Sequence, residues 1–171
     1  MIESDEQPSG NLLVVWHSRT GATRQMAEAA CDGASAQNGV SVISLPASSA
    51  SSADFLAADA VLFAAPENLA SLSGAMKEFL DRSYYDLLDH CNGKAYASII
   101  CAGSDGEGAQ RQLDRIAKGL RLRRVAPPLI VNTSAQTREA ILAPKHLGSD
   151  DLDRARELGA LLGAGLAMGI F

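Results

Sequence analysis

Cysteine, aromatic side chains and clusters of positive charge are all scarce in this chain of 171 residues. Its three cysteines, Cys31, Cys91 and Cys101, are odd in number and form no CxxC pair, which argues against a disulfide framework and against a zinc site. The histidines are scattered, which also argues against a metal site. The formal net charge is −5, so nucleic acid and anionic membranes are poor partners. We therefore expect no metal, no nucleic-acid partner and a reducing, cytoplasmic environment.

Long hydrophobic runs are also missing. The apolar stretch at residues 158–171 is shorter than the roughly 20 residues that a membrane-spanning helix needs, and it predicts a helix packed on a sheet. Residues 1–10 are acidic and lack an apolar run, which predicts a disordered lead-in and no signal peptide. Residues 11–171 have the length and composition of a single domain with no membrane contact.

What the chain does contain is an alternation of short apolar runs and helical periodicity. The predicted strands cover residues 12–16, 40–45, 60–65, 95–102 and 127–131, and Pro66 is expected to end the third. Helices are predicted at residues 22–37, after Ser71 or Ser73, around residues 113–120 and from Ser149. Strands that are apolar throughout are typical of a parallel sheet covered on both faces. The fold class is therefore α/β, a three-layer doubly wound sandwich with a five-stranded parallel sheet.

The helix after the third strand is predicted to be long. Its apolar face would consist of Met76, Phe79, Leu80, Ser83, Tyr84, Leu87 and Leu88. The basic segment at residues 121–125 is interpreted as a solvated helix end, and the connection at residues 132–150 as either a partner contact or a cover over one edge of the sheet.

Ligands of such sheets bind beyond the carboxyl ends of the strands, which directs attention to the loops at residues 17–24, 66–74 and 103–110. The first loop reads HSRTGATR and offers several hydroxyls and one glycine ahead of a helix N-terminus. It predicts an anion site, most plausibly for phosphate, with an ordinary capped turn as the alternative. Neither a P-loop nor a GxGxxG fingerprint is present. The His17-Ser18-x5-Arg24 spacing is similar to a phosphatase loop, but a serine without an adjacent base is a weak nucleophile.

Three motifs in this order resemble the flavodoxin-like FMN proteins. They are Ser18-x-Thr20-Gly21-x-Thr23, the Pro66-Glu67-Asn68 turn followed by SGAMKEFLDR, and the glycine-bearing loop at residues 103–110. Within that group the chain is most similar to NAD(P)H-dependent FMN reductases and flavodoxin-type oxidoreductases. The resemblance covers nearly all of the chain from Asn11 and implies the flavodoxin-like strand order 2-1-3-4-5 and FMN as cofactor.

The resemblance also implies which residues hold FMN. The phosphate would be held by Ser18, Thr20, Gly21, Ala22 and Thr23. The isoalloxazine ring would lie between Pro66, Glu67, Asn68 and Leu69 on one side and Gly103, Ser104, Asp105 and Gly106 on the other. Glu67 is interpreted either as a solvated turn residue or as a group beside the ring, and the second interpretation is slightly favoured.

Departures from the family pattern bear on activity. Ala22 replaces an asparagine usual in flavodoxins, and neither ring-flanking loop contains Phe, Tyr or Trp, whereas electron-carrier flavodoxins typically sandwich the ring between aromatics. An open flavin face would admit NAD(P)H as co-substrate, with a quinone or flavin as acceptor and no catalytic protein nucleophile. The alternatives are an electron carrier serving a partner protein and a cofactor-free scaffold. Quinone reductases of the tryptophan-repressor-binding-protein type carry an extended insertion that this chain lacks. Oligomerisation through that insertion is therefore not expected, and a homodimer would need another interface.

Overall fold

A computed structural model describes residues 10–171 as a sheet with helices on both faces. Its elements in chain order are β1 (Gly10–Trp16), α1 (Ala22–Ser35), β2 (Val40–Pro46), α2 (Ser52–Ala57), β3 (Ala60–Asn68), β4 (Ser71–Leu72), α3 (Gly74–Leu87), β5 (Ala95–Ala102), α4 (Glu107–Gly119), β6 (Arg123–Arg124), β7 (Leu129–Asn132), α5 (Arg138–Leu142) and α6 (Ser149–Ala167). The predicted lead-in falls outside the described residues, except for Gly10, which begins β1.

The parallel strands follow the order β2-β1-β3-β5, and the fifth position is shared by β6 and β7. Both short strands run parallel to β5, with β6 beside its first residues and β7 beside its last four. Pro127 and Pro128 lie between them, and because proline has no N–H group to donate to a ladder, the fifth strand is interrupted there. The predicted doubly wound fold and its strand order are thus confirmed, with a divided fifth strand.

Successive side chains of each strand point to opposite faces of the sheet, so the hydrophobic core has one part on each face. In β1, Leu12 and Val14 pack toward α1 and α6, whereas Leu13 and Val15 pack toward α2, α3 and α4. The contact between α1 and α6 is close enough to require glycine, because a Cβ on Gly159 would lie 1.9 Å from the carbonyl oxygen of Ala30. The two helices on this face therefore pack backbone against backbone.

Two predictions about element boundaries were wrong. Strand β3 does not end at Pro66 but continues to Asn68, because beyond the sheet it turns into an antiparallel hairpin with β4. The segment at residues 121–125 is not a helix end, since Arg123 and Arg124 pair with β5 as an edge strand.

The buried face of α3 is also narrower than predicted. Tyr84 is 44% exposed, and its ring contacts the neighbouring Tyr85 ring in a tilted arrangement, with 5.3 Å between ring centroids. Leu88 is 36% exposed because the helix ends at Leu87 and Leu88 is its C-cap. The other predicted residues of that face are buried: Met76, Phe79, Leu80, Ser83 and Leu87.

Candidate functional site

The loop between β1 and α1 turns so that a row of backbone N–H groups is left without acceptors. Gly21 is the N-cap of α1, and its φ of 98° is a left-handed conformation that glycine adopts without steric cost. Its N–H donates to Ser18 Oγ at 3.1 Å. Within residues 10–171, no acceptor is found for the N–H groups of Ser18, Arg19, Thr20, Ala22 and Thr23. Such a row of donors, at the positive end of a helix dipole, suits an anion.

Helix α4 begins with the same turn, but there a carboxylate already satisfies the N–H groups. Its N-cap, Gly106, has a φ of 97°. Glu67 Oε1 accepts from the N–H of Gly106 and Glu67 Oε2 accepts from the N–H of Ala109, each at 2.9 Å. Glu67 lines the cavity and both of its oxygens bind α4, so it is not a solvated turn residue, and its place beside a ring stays a prediction. It joins the second and third site loops through one side chain.

Further contacts fix the β3–β4 hairpin to α4. The N–H of Leu72 donates to Gln112 Oε1 at 2.8 Å. A Cβ on Gly108 would come within 2.3 Å of the carbonyl oxygen of Ala70, so the hairpin tip rests directly on the first turn of α4. Leu69 and Ala70 form that tip with φ angles of 52° and 59°, the left-handed geometry of a two-residue hairpin turn. For residues other than glycine this geometry costs about 1–2 kcal/mol each, which the anchoring contacts offset.

The third loop is tied to the segment that follows β7. Asn132 Nδ2 donates to the carbonyl oxygen of Ser104 at 2.5 Å, and Gln136 Nε2 donates to that of Gly103 at 3.2 Å. Ser104 and Asp105 point outward and are exposed. The loop therefore contributes mainly its backbone to the site.

Residues 132–150 form a wall of the site beside the first loop, and the two interpretations given from the sequence, a partner contact or a cover over one edge of the sheet, stay predictions. The N–H of Lys145 donates to the carbonyl oxygen of Thr20 at 2.7 Å. Gln25 bridges the same two segments, because its Nε2 donates to the carbonyl oxygen of Lys145 at 2.7 Å and its Oε1 accepts from the N–H of Leu147 at 3.2 Å. The ammonium group of Lys145 donates to carbonyl oxygens at the end of α5. The wall is thus hydrogen-bonded to the first loop and to α1 at several points.

These segments enclose a cavity of about 420 Å³ at the carboxyl ends of β1, β3 and β5. Of the residues predicted from the sequence, those in its wall are Ser18, Thr20, Ala22, Thr23, Pro66, Glu67, Asn68 and Gly103. Gly21 shapes the first loop, whereas the other predicted residues, Leu69, Ser104, Asp105 and Gly106, lie outside the wall. The wall also contains residues that the sequence did not single out as ligand contacts: Arg19, Cys101, Ala102, Thr133, Ala135, Ile141, Leu142 and Lys145.

Most of the residues that were missed come from the 132–150 segment and the end of β5. Their only signal in the sequence was the unusual length of the connection before α6, which does not say where the segment lies. None of the residues that line the cavity is Phe, Tyr or Trp. Ile141 and Leu142 give it an exposed apolar rim, with 53% and 61% of their surfaces accessible.

Two titratable groups near the cavity have shifted pKa values. Burial and the charge of Arg19 lower the pKa of His17, whose Nδ1 lies 2.9 Å from Ser73 Oγ. Burial raises the pKa of the Cys101 thiol to about 11, despite a hydrogen bond with Thr23 that acts in the opposite direction. At neutral pH the cavity therefore presents a neutral imidazole nearby and a protonated thiol at its base.

Two kinds of site are not found in the described part of the chain. Among residues 10–171, no group of three or more His, Cys, Asp or Glu side chains is placed to hold a metal ion. The helices of this range include none that is long and apolar enough to cross a bilayer.

Comparison with known protein families gives a match over more than half of the chain. The model of the family described as NADPH-dependent FMN reductase matches residues 30–136, which include the second and third site loops. A flavodoxin from Aquifex aeolicus (strain VF5) is 33% identical over 99 residues, covering 58% of this chain and 54% of that protein. The chain therefore spans about half the length of this curated relative.

Solved structures share the fold at lower sequence identity. An archaeal flavodoxin superposes with a TM-score of 0.76 at 20% identity, covering 91% of this chain and 98% of the other. A flavodoxin, WrbA-like protein from Agrobacterium tumefaciens superposes with a TM-score of 0.71 at 21% identity, covering 93% and 98%. These similarities establish a flavodoxin-like fold.

Proposed function

Because the chain belongs to the NADPH-dependent FMN reductase family, we propose that it binds FMN in the cavity and uses NAD(P)H to reduce a quinone or a second flavin. The observation that carries the proposal is the cavity of about 420 Å³ at the carboxyl ends of β1, β3 and β5, where the donor-rich first loop meets two ring-flanking loops. FMN, when bound, supplies the two-electron chemistry, and the protein supplies binding and orientation.

The first loop would hold the phosphate group. The free N–H groups of Ser18, Arg19 and Thr20 offer donors to its oxygens, and the first turn of α1 adds those of Ala22 and Thr23. The comparable turn at α4 is already filled by the Glu67 carboxylate, so this rim offers one unfilled helix N-terminus. One such site suits the single phosphate of FMN better than the diphosphate of FAD.

The remaining walls would hold the ring. Pro66 and Asn68 would flank one side, and the backbone at Gly103 would donate or accept hydrogen bonds at the ring edge. Ile141 and Leu142 supply apolar surface in place of aromatic side chains. Without an aromatic residue in the wall, one ring face stays open to a nicotinamide at the close approach that direct hydride transfer needs. This chemistry requires no nucleophile or metal from the protein.

An electron carrier that serves a partner protein is the second candidate. The curated relative that is 33% identical is named flavodoxin, which favours this function. The two candidates differ in one property, since a carrier takes electrons from a reductase protein and does not oxidise nicotinamide directly.

The test uses the purified protein loaded with FMN. We expect mass analysis of the bound chromophore to identify FMN, and anaerobic mixing with NADPH or NADH to bleach the flavin absorbance directly. Steady-state oxidation with a quinone acceptor then gives the turnover. If the bound chromophore is FAD, or if the protein does not bind added FMN, the cofactor assignment is wrong. If neither nucleotide reduces the flavin but a separate reductase protein does, the carrier function replaces the enzymatic one.

Two variants test how the phosphate is held. We expect Thr20→Val to weaken FMN binding more than Arg19→Ala, because leaving a phosphate oxygen without its hydroxyl donor costs roughly 1–3 kcal/mol, whereas an exposed arginine contributes roughly 0–1 kcal/mol. Titration of the apoprotein with FMN gives both affinities. A larger loss for Arg19→Ala would mean that the loop holds the anion by charge instead.

A further inference from the structure

A second concave surface lies on the other side of the β3–β4 hairpin, between α3 and α4. It has a volume of about 540 Å³ and is lined by Ser71, Lys77, Arg111, Gln112, Arg115 and Ile116. We call it the α3–α4 groove. It carries three positive side chains and no acidic one, although the whole chain has a net charge of −5.

Two of these cations lack partners. Within residues 10–171, Arg111 and Arg115 form no ion pair and donate no hydrogen bond, whereas seven other basic side chains pair with carboxylates. Arg111 and Arg115 are spaced i,i+4 on α4, which places like charges side by side and destabilises a helix by a few tenths of a kcal/mol. Glu107 lies one turn before Arg111 but forms no ion pair with it. The pair of arginines therefore costs stability without any compensating contact inside the described chain.

The uncharged polar groups of the groove also favour an anion. The carbonyl oxygen of Gln112 already accepts from the N–H of Leu72, which leaves its amide NH2 group as a free donor. The Ser71 hydroxyl is a further donor that no other described residue engages. Lys77 also lines the groove, but its charge is paired with Asp81 at 2.5 Å on the exposed side of α3. Paired guanidinium groups with neighbouring N–H and O–H donors are the chemistry that recognises phosphate.

The position of the groove connects it to the cavity described above. Ser71 lies at its edge and pairs across the hairpin with Asn68, which lines that cavity. The hairpin therefore separates the two concavities, and a ligand with an apolar ring at one end and phosphates at the other would have to cross it to occupy both. Leu69 stands fully exposed at the hairpin tip between them, where it offers apolar surface to such a ligand.

We propose that the α3–α4 groove binds the adenosine phosphates of NADPH, with Arg111 and Arg115 on the 2′-phosphate, and that it makes the protein select NADPH over NADH. This inference rests on the nicotinamide oxidation proposed above. It assigns a nucleotide specificity site to residues that lie outside the FMN cavity.

The experiment measures binding and turnover separately. Calorimetric titration with 2′,5′-ADP and with 5′-AMP reports binding of the adenosine end without any redox reaction. Arg111→Gln, Arg115→Gln and the double variant remove the two charges. Lys118→Gln is the matched control. Lys118 is an exposed cation of the same helix that forms no ion pair with any described residue, and together with Arg121 and Arg124 it lines a different surface.

We expect the unaltered protein to bind 2′,5′-ADP at least about tenfold more tightly than 5′-AMP. Each arginine variant should weaken 2′,5′-ADP binding about fivefold, as expected for one partly exposed charge pair, and raise KM for NADPH by a similar factor. Binding of 5′-AMP, KM for NADH and FMN affinity should change less than about twofold. Lys118→Gln should behave as the unaltered protein does in every assay.

The outcomes separate this inference from the function on which it rests. If the protein oxidises NADPH but the arginine variants keep their KM and their 2′,5′-ADP affinity, the groove assignment is wrong and the function stands. If no nicotinamide is oxidised, the function is wrong, and the 2′,5′-ADP titration alone decides the groove. If the variants lose only electron delivery from an acidic reductase protein, the groove is a protein-docking surface and the nucleotide assignment is wrong.

Discussion

Replacing Glu67 tests whether one side chain holds two loops of the site together. Its two oxygens each accept an N–H of the first turn of α4 at 2.9 Å, which makes the carboxylate the cap of that helix. A helix cap contributes about 0.5–2 kcal/mol, and a negative charge at a helix N-terminus adds about 0.3–1 kcal/mol. We therefore expect Glu67→Ala to lower the free energy of unfolding by about 2 kcal/mol. Glu67→Gln keeps one acceptor and should lower it by about 1 kcal/mol.

The assay is urea unfolding of the apoprotein followed by FMN titration of the folded variants. We expect FMN affinity to fall with Glu67→Ala, because Leu69 and Ala70 hold left-handed φ angles that the anchor to α4 helps to maintain. Glu107→Ala is the matched control. Glu107 is an acid in the same first turn of α4 whose carboxylate forms no hydrogen bond with the described residues, so its loss removes only a helix-dipole contribution of about 0.3–1 kcal/mol.

Two results would refute this reasoning. Equal losses of stability for Glu67→Ala and Glu107→Ala would mean that the hydrogen bonds to Gly106 and Ala109 contribute nothing beyond charge. A loss of stability with unchanged FMN affinity would mean that the hairpin keeps its place without Glu67. The second result would mean that Glu67 stabilises α4 but does not contribute to FMN binding.

Two further predictions concern packing and titration. Gly159→Ala should destabilise the fold by more than about 2 kcal/mol in thermal unfolding, because the added Cβ meets the Ala30 carbonyl oxygen at 1.9 Å. The control Gly119→Ala, whose Cβ has no atom within 4 Å, should be neutral or stabilising. Equal effects of the two variants would contradict the close α1–α6 contact. The pKa of His17, followed by NMR, should lie below about 6.5 and rise in Arg19→Ala, because burial and Arg19 both disfavour the imidazolium. The unfolded chain then takes up this proton more readily than the folded one, so stability should decrease as the pH falls through about 6.5, and a flat profile for this group would contradict the shift.

The strands and the first loop were predictable because their signals are local. A run such as residues 12–16 is apolar throughout, and only a strand covered on both faces buries every residue of such a run. The hairpin at Leu69 and Ala70 was not predictable, because those residue types rarely adopt left-handed φ angles and the compensating contacts come from α4, far along the chain. The role of Glu67 was missed for the same reason, since its partners lie about 40 residues away in the sequence.

The placement of residues 132–150 shows why a site can be read from a sequence only in part. Lys145 and Leu147 reach the first loop through Thr20 and Gln25, contacts that span about 120 positions and leave no periodic signal. Two of these bonds use main-chain N–H groups, which any residue but proline supplies. The residue types at positions 145 and 147 therefore do not reveal these contacts in the sequence. Gln25 is the informative position. On a helix surface a glutamine needs no partner. Here its amide binds both segments, so the wall and the first loop are fixed relative to each other before any ligand binds. A loop whose donors are already held in place gives up less conformational entropy on binding an anion than one that must be ordered first.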